Sequence, residues 1–335
     1  MGELILDDKK IRILCEEDIR RALSMKDAIE AMKEAFKAVS TGQVTMPTRT
    51  HIDISTYNGT ALFMPSYADC FGKIGVKVVN IFPANPKRGL PSIQGIVCLL
   101  DGKTGSPLAI LDGTFLTALR TGAASGAATD LLSRPDADTV AIIGAGIQGC
   151  MQLEATCAVR PIKKVWVYDI AEDVAVQFAK KMSAALAIEI VVTRSSRDAL
   201  QYADIVCTAT VSSTPVFDDA EIASGVHINA VGSYKPEVQE IPEKTVVRSL
   251  LIVDHRESAL QEAGDLLIPI KKGYMQETHI HAELGEIIAG KVIGRTSDKD
   301  VTLFKSVGIA VQDLAAATRV LEQAEIQGFG KMVQL

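Results

Sequence analysis

The chain has 335 residues, 47% of them apolar and 23% charged, a balance that suits a folded protein and excludes long disordered or collagen-like stretches. Lys and Arg number 35 against 41 Asp and Glu, a net charge of -6, so neither a nucleic acid nor an anionic membrane surface is the expected partner. The length favours two domains.

No uncharged stretch reaches the roughly 18 to 20 residues that a bilayer span needs. Residues 1–8 lack the basic segment and apolar run of a secretion signal, so the expected location is the cytoplasm. The six cysteines form no C-x-x-C pair and read as reduced thiols buried among apolar residues. Thr278-His279-Ile280-His281 alternates as if to set two imidazoles on one strand face, but no acidic or thiol partner lies at a ligand spacing, and no metal is expected.

In chain order, residues 16–40 read as an amphipathic helix, with Ile19, Ala22, Leu23, Ala28, Met32, Ala35, Phe36 and Val39 on one face and Ser24 capping its main portion. From Thr45 to Leu111 short apolar runs are punctuated by Gly, Pro and Asn. The strand candidates there are 60–64, 74–81, 95–100 and 108–111. Residues 114–132 are rich in Ala and Gly, which permits close packing of a helix against a neighbour. After the polar link 133–138, strand and helix patterns alternate, with strands expected at 140–143, 164–168, 188–192, 205–208, 227–231 and 250–253. They predict a six-stranded, largely parallel sheet. Helices resume after Gly285.

The strand at 140–143 runs into Gly144-Ala145-Gly146-Ile147-Gln148-Gly149, which opens a helix: G-x-G-x-x-G in the context that dinucleotide binding requires. Gly144 permits the tight turn, Gly146 lets backbone approach a pyrophosphate, and Gly149 lets the helix pack close to the strand. The next strand ends at Asp169, twenty residues beyond Gly149. A carboxylate there accepts hydrogen bonds from ribose hydroxyls and repels a 2'-phosphate, so NAD(H) is expected rather than NADP(H). Residues 207–210 and 229–233, which include Thr210, Val231, Gly232 and Ser233, end two later strands and are either cofactor contacts or ordinary turns. Three cations stand out earlier: Arg49, Lys77 within a strand, and Arg120 in the small-residue helix. They read either as solvated charges or as an anion pocket in which two guanidinium forks bind a carboxylate and the lysine handles a proton.

The glycine loop, Gly75-Val76-Lys77-Val78-Val79-Asn80, Leu116-Thr117-Ala118-Leu119-Arg120-Thr121-Gly122, His227-Ile228-Asn229-Ala230-Val231-Gly232 and Phe304-Lys305-Ser306-Val307-Gly308 together resemble the ornithine cyclodeaminase / μ-crystallin family, over nearly the whole chain. That family also contains an archaeal-type alanine dehydrogenase and cyclic ketimine reductases. The resemblance implies a Rossmann doubly wound parallel sheet, residues 136–304, inserted into an α/β substrate-binding and dimerisation domain of residues 1–135 and 305–335. It also implies a homodimer. Arg49, Lys77 and Arg120 match the substrate-carboxylate and proton-transfer positions. Ser92, Arg120, Thr121, Ile147, Gln148, Asp169, Thr210, Val231, Gly232, Ser233 and Val307 match cofactor positions, and Gly308 a position beside the substrate.

One departure bears on activity. Ornithine cyclodeaminases carry an aspartate shortly after the Val-Gly pair, where this chain has Gly232-Ser233-Tyr234-Lys235-Pro236-Glu237. Glu237 is displaced by three residues, and Tyr234 and Lys235 become candidates for substrate selection. The expected activity is therefore an NADH-dependent reductase of α-imino acids, cyclic or derived from small 2-oxo acids, reversible as an L-amino acid dehydrogenase, with Lys77 as the proton donor. A cyclodeaminase using NAD+ catalytically and a nucleotide-binding protein without turnover are the alternatives.

Overall fold

The computed structural model describes residues 10–334, so the N-terminal stretch read for a secretion signal lies outside the described residues. These residues divide into two compact units. One comprises the chain up to Arg120 and again from Ala310; the other is Thr121–Ile309. The first change of unit falls inside the helix Gly113–Leu132, ahead of the polar link at 133–138. Gly122 explains why the helix's second half belongs to the later unit: a Cβ there would lie 2.7 Å from Met151 O, so only glycine allows this approach to the helix Ile147–Val159.

In the first unit the described strands form an eight-stranded mixed sheet. Its path runs Lys331–Gln334, Lys10–Leu14, Pro107–Asp112, Ile93–Asp101, Lys73–Ile81, Gly59–Ala68 and Val44–Thr45, with Thr50–Ile54 paired to Gly59–Ala68. The terminal strands at 10–14 and 331–334 were not expected; each is short and carries charged residues. Register sorts the sheet into two faces. Met64, Lys77, Val97 and Leu111 form one cross-strand row, while Pro65, Val76, Cys98 and Ile110 form the neighbouring row on the opposite face.

Helix Ala310–Gln327 covers the first of these faces, with Glu16–Ala22 against the strands Lys10–Leu14 and Pro107–Asp112, and Met25–Ser40 packs on Ala310–Gln327. Gly75 lets Ala310–Gln327 approach, since a Cβ there would meet Leu314 at 3.1 Å. The expected single helix over 16–40 is broken into Glu16–Ala22 and Met25–Ser40. Ser24 is the cause, because its extended backbone and its Oγ, which accepts from Asp27 N, start a new helix instead of continuing the old one.

The second unit holds eight parallel strands. Their spatial order is Glu189–Val192, Lys164–Tyr168, Thr139–Ile143, Ile205–Thr208, His227–Ala230, Thr302–Lys305, Leu250–Val253 and Ile280–Glu283. All six expected strands are present. Thr302–Lys305 and Ile280–Glu283 were missed because they are four residues long and their Lys and His interrupt the apolar pattern. His279 lies outside the last strand, in the turn Glu277–His279, while His281 on it bonds Ile293 O, so the two imidazoles do not share a strand face. From Thr139–Ile143 the chain winds outward to Glu189–Val192, then returns to the other side at Ile205–Thr208. That reversal is the crevice where doubly wound sheets bind ligands. Among the described residues no helix is long and apolar enough to cross a membrane.

Candidate active site

Within the first unit, Lys77 lies on the helix-covered face of its strand and is 2% exposed, which excludes the solvated-edge reading. Its Nζ is 2.7 Å from Asp313 Oδ2. Arg120, also buried, donates from Nε to Asp313 Oδ1 at 3.0 Å and from Nη1 to Gln312 Oε1 at 2.9 Å. One carboxylate therefore fixes both cations, and two of the five guanidinium donors are taken while the rest of the fork stays available.

Burial, then the Arg120 guanidinium, and to a lesser degree Arg49 bring Lys77 down to about 7 against the opposing pull of Asp313. Arg49 precedes the strand Thr50–Ile54, is partly buried, and its charge also lowers His51, on which burial is the larger influence. With Lys77 protonated the cluster holds three cations against one carboxylate, an excess that favours a bound anion. Neither Asp313 nor Gln312 was singled out in the sequence. The available signal was two polar residues opening an otherwise Ala-rich helix.

In the second unit the glycine turn has the close backbone packing that a pyrophosphate site needs. Gly144 has φ +100°, and a Cβ there would come within 2.6 Å of Ala209 O. At Gly149 a Cβ would collide with Gly144 O. A Cβ at Gly146 meets no protein atom within 4 Å, so its open space is left for a ligand at the start of the helix. The residues fit the group. Asp169 is bound twice by backbone: Oδ2 accepts from Ala145 N and Oδ1 from Ala171 N, so it fixes the turn as well as ending its strand. Ile147, Ile170 and Val211, at the carboxyl ends of three adjacent strands, are all highly exposed apolar side chains.

Thr210, Val231, Gly232 and Ser233 lie at the carboxyl ends of the strands Ile205–Thr208 and His227–Ala230. Gln148 opens the helix after the glycine turn, and Thr121 begins this unit, its carbonyl facing Gln152 Nε2 at 3.5 Å. Ser92 belongs to the first unit, where its carbonyl accepts from Phe82 N. Tyr234 is partly buried and Lys235 exposed in the following loop. Val307 and Gly308 continue from Thr302–Lys305, and the buried Asp254 holds them: its Oδ2 accepts from both backbone N–H groups at 2.9 and 2.8 Å and from Ser306 Oγ. Gly308 has φ +79°, which suits glycine. Asp254 and the buried Glu240 were also missed, since a buried carboxylate in a loop has no local sequence mark.

A glycine-turn parallel sheet in one unit and a buried lysine–arginine–aspartate cluster in the other define a dinucleotide-binding α/β protein. The chain belongs to the ornithine cyclodeaminase/mu-crystallin family, whose model matches residues 9–328. It is 40% identical to a Δ1-pyrroline-2-carboxylate reductase of Bacillus cereus, over 96% of this chain and 99% of that one. Among solved structures it is similar to the Δ1-pyrroline-2-carboxylate reductase of Thermococcus litoralis in complex with NADH and L-proline, with a TM-score of 0.94 and 44% identity over 96% of this chain and 99% of that one. It is also similar to an archaeal alanine dehydrogenase dimer with bound NAD, with a TM-score of 0.91 and 34% identity over 97% and 99% of the two chains.

Proposed function

We propose that this protein is an NADH-dependent reductase of α-imino acids, with Δ1-pyrroline-2-carboxylate as its foremost substrate and L-proline as product. The observation that carries the site assignment is the buried Lys77, ion-paired to Asp313, with a pKa near 7. Arg120 and Arg49 bind the substrate carboxylate, the first with the donors that Asp313 and Gln312 leave over. Lys77 gives its proton to the imine nitrogen, and Asp313 keeps the ammonium pointed and partly charged. Bound NADH supplies the hydride that turns the imine carbon into the amine carbon. Residues 144–149 hold its pyrophosphate, Asp169 its adenosine ribose, and Thr210, Val231–Ser233 and Val307 its other half. Tyr234 and Gly308 are assigned to the substrate side. Six free cysteines suit the cytoplasm.

The test follows NADH absorbance with Δ1-pyrroline-2-carboxylate, with other cyclic imines, and with small 2-oxo acids plus ammonium, using wild type and Lys77→Ala. Consumption is expected with the pyrroline imine, at a turnover about 100-fold or more lower in the variant. NADH affinity should be nearly unchanged. Oxidation that continues unabated in Lys77→Ala rejects the lysine's role; absence of oxidation alongside ammonia release from L-ornithine rejects the reductase reading.

We also propose a homodimer formed through the first unit's sheet. Its face opposite the helices carries Phe63, Val76, Val78, Ile96, Cys98 and Ile110, all at least partly exposed, and Pro65, Tyr67 and Ile74 line a shallow apolar hollow on it. An apolar surface of this extent marks a contact site, and the similar alanine dehydrogenase is a dimer.

A further inference from the structure

Glu240 is wholly buried, and its carboxylate receives five donors. Oε1 accepts from Thr210 N and Thr210 Oγ1, both at 2.7 Å. Oε2 accepts from Gly232 N at 2.8 Å, Ser233 N at 3.2 Å and Thr208 Oγ1 at 3.1 Å. The two oxygens thus join the carboxyl ends of two neighbouring strands. Gly232 fits against it only as glycine, because a Cβ would lie 2.5 Å from Glu240 Oε1. Asp265 holds Glu240 in turn: its Oδ1 accepts from Glu240 N and Ile241 N, while its Oδ2 pairs with the buried Lys305 at 2.8 Å. Lys305 Nζ also donates to Ser233 O. Three strand ends are tied through this one network.

The sheet order says which part of a dinucleotide this would serve. Asp169 ends a strand on one side of Thr139–Ile143, and the glycine turn lies at the end of that central strand. Thr210 and Gly232 follow strands on the other side, where a cofactor laid across the crevice puts its nicotinamide half. We infer that Glu240 is a positioning residue for the nicotinamide half of NADH, its carboxylate fixing Thr210, Gly232 and Ser233 as one surface. The inference rests on the reading of this unit as the NADH site. It touches no reacting atom itself, and with every contact a donor it is unavailable as a base for substrate.

Glu240→Gln is nearly isosteric, yet whichever way the amide is placed, its NH2 meets a backbone N–H: Thr210 N on one side, Gly232 N and Ser233 N on the other. The experiment measures the thermal shift and the dissociation constants of NADH and of ADP, which lacks the nicotinamide half, for wild type and variant. NADH affinity should fall about tenfold or more, with ADP affinity within about twofold of wild type. Equal loss of both ligands would make Glu240 merely structural and overturn the inference, as would no loss of either. If the variant without ligand melts too low to titrate, Thr208→Val, which removes the buried hydroxyl that donates to Oε2 and keeps the three backbone bonds to the carboxylate, should show the same selective loss to a smaller degree; equal affinities there overturn it too. A wild type that binds neither NADH nor ADP would overturn the NADH reading itself, a result distinct from any pattern among variants.

Discussion

Lys77 is poised near neutrality because opposed influences act on it: burial, Arg120 and Arg49 depress it, and Asp313 sustains it. The sign of its pH effect follows. In its proposed role of proton donor it must be charged, so kcat/KM for imine reduction should be level below about pH 7 and fall about tenfold per pH unit above it. Asp313→Asn keeps an acceptor beside Nζ but removes the charge that raises the lysine. Its falling limb should therefore move to lower pH, by about one unit or more. The imine substrate titrates as well, but identically for both proteins, so the difference between their pH profiles belongs to the enzyme. A limb that stays in place, or moves upward, would remove Asp313 from the proton's path.

At the scale of elements, the glycine turn separates binding from stability. Gly146 and Gly149 are three residues apart, yet an added methyl enters open space at the first and Gly144 O at the second. Gly146→Ala should leave the melting temperature of the free protein unchanged while weakening NADH about tenfold or more, because the methyl occupies the place of the pyrophosphate. Gly149→Ala should lower the melting temperature without any ligand, by about 1 to 3 kcal/mol of stability, because the helix must shift off the strand. Thermal melts with and without NADH separate the two. A Gly146→Ala protein that binds NADH normally would place the pyrophosphate elsewhere.

This contrast also explains what was legible in the sequence. The glycine turn is a local demand of backbone geometry, written in six consecutive residues and placed by the strands on either side. The cation cluster is not local: Arg120 and Asp313 are 193 positions apart, and only folding of the helix Ala310–Gln327 over the sheet brings them together. Lys77 and Arg120 stood out through the family's motifs, but the carboxylate that joins them in the fold did not. Glu240 was hidden in the same way, since its partners are strand ends whose neighbours only sheet order specifies.

At the scale of the whole molecule, the open sheet face decides whether one chain is the working unit. Alternation along the strands buries Leu62, Met64, Val79, Val97, Leu99 and Leu111 beneath the helices and leaves equally apolar neighbours facing outward. A sheet with water on one side normally carries polar residues there, so this one is built to be covered. Ile96 is the most informative position, being 46% exposed in the isolated chain and flanked across the strands by Val78 and Asp112. Glutamate there costs a single chain about 1 kcal/mol, since the carboxylate reaches water but faces the Asp112 charge. In a dimer it buries an unpaired charge on each subunit, a penalty of several kcal/mol per assembly. Sedimentation velocity should give the wild type the mass of two chains and Ile96→Glu that of one, with an unchanged circular dichroism spectrum. An Ile96→Glu protein that remains dimeric would move the interface off this face, and a monomeric wild type would remove the homodimer altogether.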